Sequence, residues 1–418
     1  MTSIAAAFVA LAGAPLFVVI AALALFHFYV EGIDLTVVFI EIYRIAETPT
    51  LSAIPLFAFT GFLLAESGAA NRLVRFSNVV LSWLPGGLGI MSIIVCALFT
   101  ALTGASGMTI VALGGLLYPA LIKARYPEGF SLGLLTTSGS LGLLFPPSIP
   151  LIVYGIVAET PVDQLFIAGI IPGCLLVVSL AGYSYIIGRR TSLPPQPVHW
   201  SDITSVLRES IWELLLPVVI FGGIFSGTIA VSEAAALSAL YVLIIEMAIH
   251  REVHWRTLPR IIRDTMVLVG GILIILGAAL AYTNYMIDAE IPAQLLAYIQ
   301  SHISNKWIFL ILLNLFLLAV GCMIDMFSAL IVVVPLILPI ALAYEIHPIH
   351  LGIIFLTNLE IGYSTPPVGL NLFIASIRLD KPILKLYWAS LPFILILLIC
   401  LMIITYVPQL SLFWVDLG

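Results

Sequence analysis

The chain has 418 residues, of which 62% are hydrophobic and 9% charged, with a formal net charge of −6. A water-soluble domain carries roughly a quarter charged residues, so a soluble fold is excluded. The negative charge is spread over loops, and no nucleic-acid partner is expected.

Apolar stretches long enough for the ~20 residues that cross a bilayer run over 3–28, 164–188, 211–243 and 383–407. They are continuously apolar rather than alternating, which points to helices and against a barrel. The first stretch lacks a basic lead and runs long before its first charge, so it reads as a retained span, not a cleaved signal. Cys96, Cys174, Cys322 and Cys400 lie in apolar stretches without metal-ligand spacing and read as packing residues.

Lysine and arginine collect on the cytoplasmic side of a membrane protein. On that rule Arg72/Arg75, Lys123/Arg125, Arg189/Arg190/Arg208, Arg251/Arg256/Arg260/Arg263 and Arg378/Lys381/Lys385 are placed inside. The acidic or cation-poor segments 31–47, 159–163, 288–306 and 345–350 are placed outside. This puts the N-terminus in the cytoplasm and the C-terminus in the periplasm. His199, His250, His254, His347 and His350 fall in the expected loops and read as solvated.

Along the chain, 87–100 and 108–122 are apolar runs interrupted by Thr103-Gly104-Ala105-Ser106-Gly107. Both ends lie on one side by the charge map, which reads as a re-entrant hairpin with its tip buried in protein. Next comes Gly142-Leu-Leu-Phe-Pro146-Pro147-Ser148, where paired prolines leave carbonyls without partners. The polar stretch 188–208, with Pro194, Pro195 and Pro197, reads as a cytoplasmic linker. Glu233 looks like a first-turn acid favoured by a helix dipole.

The second half repeats the first. Gly362-Tyr-Ser-Thr-Pro366-Pro367 answers the earlier double proline at an offset of 220 (366 − 146), and Pro119 answers Pro339 at the same offset. A second interrupted run centres on Gly321 to Ser328. Its flanks are acidic where those of the first are basic, so the copies face opposite ways. The expected fold is an all-α polytopic membrane protein with an inverted-topology repeat, two re-entrant helical hairpins and two broken helices. The first repeat spans 1–187, with its hairpin at 87–123 and broken helix at 130–158. The second spans 209–418, with its hairpin at 307–344 and broken helix at 351–377.

Freed carbonyls and hydroxyls at broken helices suit a hard cation such as Na⁺, and half-helix N-termini attract anions. The candidate Na⁺ and substrate residues follow. The first tip supplies Thr103, Gly104, Ser106 and Gly107, and the first break Ser138, Ser140, Gly142, Pro146 and Pro147. The second tip supplies Gly321, Asp325 and Ser328, and the second break Asn358, Glu360, Gly362, Thr365, Pro366, Pro367, Gly369 and Asn371. Na⁺ ligands are expected at Ser106, Ser140, Asp325 and Thr365. Proline kinks satisfied by Ser and Thr are the plainer reading of the breaks. A carboxylate inside the bilayer costs roughly 2.5–3.5 kcal/mol on insertion scales. Asp325 is therefore a cation ligand or a tip carboxylate that accepts backbone N–H bonds. Glu360, the repeat mate of Ser140, is a ligand or a structural acceptor.

These segments resemble the large membrane subunit of tripartite ATP-independent periplasmic (TRAP) transporters over essentially the whole chain. The carriers are Thr103-Gly-Ala-Ser-Gly-Met-Thr109, Ala112-Leu-Gly-Gly-Leu-Leu-Tyr-Pro119, Gly139-Ser-Leu-Gly-Leu-Leu-Phe-Pro-Pro-Ser148, Gly227-Thr-Ile-Ala-Val-Ser-Glu233, Gly321-Cys-Met-Ile-Asp325 and Gly362-Tyr-Ser-Thr-Pro-Pro-Val-Gly369. The resemblance implies Na⁺-coupled uptake of an organic anion across an inner membrane, with no cofactor beyond the coupling ion. A periplasmic substrate-binding protein and a separate small four-helix membrane subunit are implied partners, and an elevator motion is the implied mechanism. The first tip departs from the family's run of serines, with Ala105 and Gly107 flanking a single Ser106. A stand-alone divalent-anion/Na⁺ symporter of similar architecture is the alternative. No enzyme is expected, because no nucleophile–base pair or His-Glu-x-x-His is present, and a pump would need a phosphate loop. A channel fits opposed hairpins less well than alternating access does.

Overall fold

The computed structural model describes residues 14, 16–81, 83–191, 200–303 and 305–415. Among these residues the regular secondary structure is entirely helical. The first half runs through α1 (Leu16–Glu31), α2 (Thr36–Ala46), α3 (Ala53–Glu66), α4 (Ala69–Val80), α5 (Gly87–Thr103), α6 (Ser106–Lys123), α7 (Glu128–Ser138), α8 (Ile149–Val157) and α9 (Val162–Arg190). The second runs through α10 (Trp200–Phe225), α11 (Val231–Ile244), α12 (Leu258–Asp288), α13 (Ile291–His302), α14 (Lys306–Met323), α15 (Met326–Ala343), α16 (Pro348–Gly362), α17 (Leu370–Leu379), α18 (Ile383–Tyr406) and the single turn α19 (Gln409–Leu412). Eight helices are long and apolar enough to cross a membrane, or nine if the pair Glu128–Leu144 and Ile149–Val157, bent by 48°, counts as one span.

The 220-residue offset holds for whole helices. Ser106–Lys123 recurs as Met326–Ala343 without slippage. The boundaries of α5, α7, α8 and α9 recur as those of α14, α16, α17 and α18 to within four residues. Pro146–Pro147 and Pro366–Pro367 are both cis. Only Gly104 and Ala105 separate α5 from α6, and only Ile324 and Asp325 separate α14 from α15. Gly104 takes a positive φ of 67°, which closes α5 without strain on a Cβ.

Close packing at the breaks also repeats. A Cβ on Gly142 would lie 2.1 Å from the Ala97 carbonyl oxygen, so the first break sits directly on α5. A Cβ on Gly362 would lie 2.6 Å from the backbone of Gly321, so the second break sits equally tightly on α14. Across the halves the elements interlock: α6 packs on α17, α15 on α8, and α7 on α18. Helices α1–α4 and α10–α13 form the surrounding frame, with α3 on α11, α4 on α10, and α12 on α1, α2 and α3.

Some sequence expectations need correction. Residues 200–208 of the expected linker are the first turns of α10 and 188–190 the last of α9; residues 192–199, with Pro194, Pro195, Pro197 and His199, lie outside the described residues, as do residues 1–13 of the first apolar stretch. His350 is not in a solvated loop. It is buried in the first turn of α16, with Nδ1 3.2 Å from the Ser411 hydroxyl and Nε2 3.3 Å from the Thr405 carbonyl oxygen. Arg72, read only as a cytoplasmic flank, is buried on α4. Its guanidinium donates to Glu213 at 2.5 Å, Glu246 at 2.7 Å and Glu252 at 2.6 Å. Glu233 sits in the first turn of α11, where its carboxylate accepts the Ala230 N–H at 2.9 Å.

Candidate substrate and ion site

The two hairpin tips, which are about 220 residues apart in sequence, open on one cavity of about 340 Å³. The first tip contributes Gly104 through Met108, the second Asp325, Met326 and Phe327. Leu143 comes from the first break, Tyr363, Leu370 and Ile374 from the second, and Phe62 and Leu268 from the frame helices α3 and α12. A larger cavity, about 840 Å³, lies among residues 48–50, 155–163 and 224–232 and touches neither tip nor double proline. The smaller one holds the interrupted backbone, where unpaired polar groups are available.

The tips are repeat mates with different chemistry. At the second, Asp325 is the N-cap of α15. Its Oδ1 accepts from the N–H groups of Phe327 (3.1 Å) and Ser328 (3.0 Å), and the Met326 N–H donates to the Tyr363 hydroxyl. The carboxylate is exposed at the tip. The cost of burying it in lipid, weighed from sequence, therefore does not apply. At the first tip the mate of Asp325 is Ala105, extended like an N-cap but without an acceptor. The first intrahelical bond of α6 is donated by Thr109 to the Ala105 carbonyl, 3.4 Å away. The N–H groups of Ser106, Gly107 and Met108 thus lack a partner among the described residues.

Of the sequence candidates, Gly104, Ser106, Gly107 and Asp325 line the cavity. The others sit in the packed breaks around it. Ser106 donates to Asn371 Oδ1 at 2.9 Å, tying the first tip to the helix after the second break. The Gly369 N–H donates to the Cys322 carbonyl at 3.0 Å, tying that break to the second hairpin. Ser140 donates to the carbonyls of Thr137 and Glu360, both at 3.2 Å, so these repeat mates touch where the halves meet. Thr365 donates to its own helix, at the Ile361 carbonyl 2.8 Å away. Asn358 donates to Asn314 Oδ1 at 2.7 Å, and Asn314 to the Thr405 hydroxyl at 3.1 Å. The hydroxyls of Thr103 and Ser138 and both carboxylate oxygens of Glu360 are buried with no hydrogen-bond partner.

The expected Na⁺ ligands are therefore divided. Ser106 and Asp325 share the cavity, whereas Ser140 and Thr365 give their hydroxyl protons to backbone carbonyls outside it. Asn314 and Tyr363 escaped the sequence reading. An asparagine inside the apolar run of α14 was the signal for the first; Tyr363 carried none, since aromatic residues abound in membrane helices.

Comparison with known proteins gives the same register. The family described as tripartite ATP-independent periplasmic transporter, DctM component, matches residues 3–410. The chain belongs to this family. It is similar to the C4-dicarboxylate TRAP transporter large permease protein DctM of Pseudomonas aeruginosa, with 36% identity over 89% of this chain and 88% of that protein. The DctM of Rhodobacter capsulatus is 33% identical over 93% and 91%, and the sialic acid TRAP transporter large permease SiaM of Vibrio cholerae is 32% identical over 87% and 85%. Among solved structures, the YdaH transporter of Alcanivorax borkumensis aligns with a TM-score of 0.63 over 88% of this chain and 86% of its own. At 15% identity it shares the fold alone. The TRAP permease is thus a multi-pass subunit of the bacterial inner membrane, a transporter component and not an enzyme. Such large permeases work with a substrate-binding protein and a small membrane subunit, fused to the permease in the isethionate relative of Oleidesulfovibrio alaskensis.

Proposed function

We propose that this TRAP permease takes up an organic anion, a carboxylate, together with Na⁺, and that the hairpins and breaks move as one body against the frame. The observation that carries this reading is the contrast between the two tips of one cavity. Three unpartnered N–H groups at the start of α6 form an anion site, reinforced by the helix dipole. Asp325 opposite supplies a fixed negative charge beside carbonyls freed at the tip, which suits a hard cation. A carboxylate and Na⁺ held together neutralise one another in a small, largely apolar space. Ser140 and Thr365 remain Na⁺ candidates only if their hydroxyls turn from the carbonyls they now bond.

Movement as one body is supported by where the polar bonds run. Ser106–Asn371, Gly369–Cys322, Met326–Tyr363 and Ser140–Glu360 join hairpins to breaks across the repeats. At the cavity the frame offers only the apolar side chains of Phe62 and Leu268, a greasy contact that slides without breaking hydrogen bonds. Phe62 lies one turn before the end of α3, where Glu66 pairs with Arg260 near the start of α12. On the positive-inside rule that end faces the cytoplasm, so this arrangement is the inward-facing one.

Ion coupling has a sufficient driving force. A tenfold Na⁺ gradient is worth about 1.4 kcal/mol per ion and 100 mV about 2.3 kcal/mol per charge. Two Na⁺ with a monoanion gain about 5 kcal/mol, several-thousand-fold accumulation, whereas one Na⁺ gains only about tenfold. The test is uptake into proteoliposomes that hold the permease and its small subunit, with the anion loaded on the cognate binding protein. Uptake that needs an inward Na⁺ gradient, and loses its Na⁺ dependence in Asp325→Asn, supports the reading. Uptake indifferent to Na⁺ refutes coupling, and uptake without the binding protein restores the stand-alone symporter.

A further inference from the structure

Three glutamates are buried among the described residues: Glu213, Glu246 and Glu360. The first two share the guanidinium of Arg72. Glu360 is treated differently. It lies on α16, six residues before the cis double proline, 1% exposed, and neither carboxylate oxygen has a hydrogen-bond partner. No cation answers it. Its helical neighbours are committed elsewhere: Thr357 donates to the Ile353 carbonyl, Ser364 to the Thr136 carbonyl, and the Tyr363 hydroxyl accepts the Met326 N–H.

The elements packed against α16 are α8, α9, α14, α15, α18, α19 and the 3₁₀ turn Leu141–Leu144. Their titratable groups also have partners or lie at helix ends. Tyr154 donates to the Pro348 carbonyl, Lys306 to the Glu345 carbonyl and Cys322 to the Ala319 carbonyl; Lys385 pairs with Glu128 and Cys400 donates to Ser179. Asp163, Arg189 and Arg190 sit in the terminal turns of α9. A lone carboxylate in such a place costs many times what a lone carboxylic acid does.

We propose that Glu360 is a proton-binding site of the broken-helix body, occupied at neutral pH, so that the body carries a neutral acid rather than an unpaired charge. The proton stays with the carboxyl because no base lies within hydrogen-bonding reach, and Ser140 holds the Glu360 backbone rather than its side chain. The site is separate from the cavity between the tips, whose lining excludes Glu360. The proposal rests on the transport reading only for what the proton is for; its presence is a property of the resting protein.

The experiment is infrared spectroscopy of the purified permease in lipid at neutral pH, comparing wild type with Glu360→Gln. A carboxylic-acid carbonyl band present in wild type and lost in the variant is expected, and the band should bleach as the medium is made strongly alkaline. Titrating wild type with Na⁺ is a second arm. A band that survives Na⁺ supports a proton site, and a band that Na⁺ abolishes makes Glu360 a sodium ligand and overturns the proposal. No difference band at neutral pH overturns it as well. Should Glu360→Gln fail to fold, Glu360→Asp serves, where a shifted band replaces a lost one; an unshifted band counts against the site. None of these readouts needs transport, so failure of Na⁺-coupled uptake leaves the result standing.

Discussion

Ala105→Asp would make the first hairpin tip resemble the second. Ala105 occupies an N-cap position in an extended conformation (φ −139°, ψ 115°), the kind of backbone an Asp cap adopts. Its carboxylate should accept from the free N–H groups at the start of α6, as Asp325 does on α15. An Asp in place of Ala at an N-cap stabilises by about 1 kcal/mol, so the variant should be no less stable than wild type. Its effect on substrate should have the opposite sign. The new charge lies on the wall of a 340 Å³ cavity, about 5 Å from any anion held there. At an effective dielectric near 20 that repulsion is about 3 kcal/mol, on the order of a hundredfold in affinity. The assay is paired: thermal unfolding in detergent, and the substrate dependence of uptake in proteoliposomes. A stable variant with a much raised half-saturation or no uptake is expected. A stable variant that transports like wild type would falsify the anion site at α6.

Other outcomes follow from the same geometry. Arg72→Met leaves Glu213 and Glu246 buried without a cation, a loss of about 3–5 kcal/mol that should lower the unfolding midpoint by roughly 5–15 °C; a change of a degree or less contradicts the cluster's role. Acid should weaken the same region. Burial and the Arg72 charge hold His250 below its ordinary 6.5, and at Glu252 the bonds from Arg72 and the Gly68 N–H outweigh desolvation to hold it below 4.5. Both shifts are downward, so their stabilisation is complete at neutral pH and lost as pH falls, first below about 6.5 and further below about 4.5. An unfolding midpoint that rises on acidification over this window opposes that sign. Gly362→Ala drives a methyl into the Gly321 backbone and should cost about 1–3 kcal/mol, whereas Gly129→Ala, with nothing within 4 Å, should be neutral or slightly stabilising. Equal midpoints for the pair would undo the packing argument. Asp325→Asn keeps an N-cap acceptor, so stability should change by less than about 1 kcal/mol while the Na⁺ dependence of uptake weakens; a stability loss with Na⁺ dependence intact reverses the assignment.

The breaks were legible in the sequence because their signals are local. Two consecutive prolines remove two donors wherever they stand, and Gly104 or Asp325 interrupts an apolar run whatever packs beside it. Other features had no such signal. Arg72 looked like any arginine at a membrane edge, because its three glutamates come from α10, the π-helical turn Ile245–Ile249 and the loop beyond it. His350 looked solvated because a charge-poor loop and the first turn of a buried helix read alike. The bond from Ser106 to Asn371 joins residues 265 apart, and neither side chain names its partner.

The sequence by itself determined that the chain is a duplicated helical membrane protein. Apolar length fixes the spans, and a repeated register of proline and glycine needs no tertiary contact to be seen. Only the tertiary structure decided which interruptions face one another, which carboxylates are compensated and which is left alone. The physical reason is that helix formation depends on neighbours a few residues away, whereas the worth of a charge or a free N–H depends on what folds against it. Ala105 and Asp325 show this most plainly: they are repeat mates at equivalent turns, and they became an anion-facing and a cation-facing tip only when the fold placed them across one cavity.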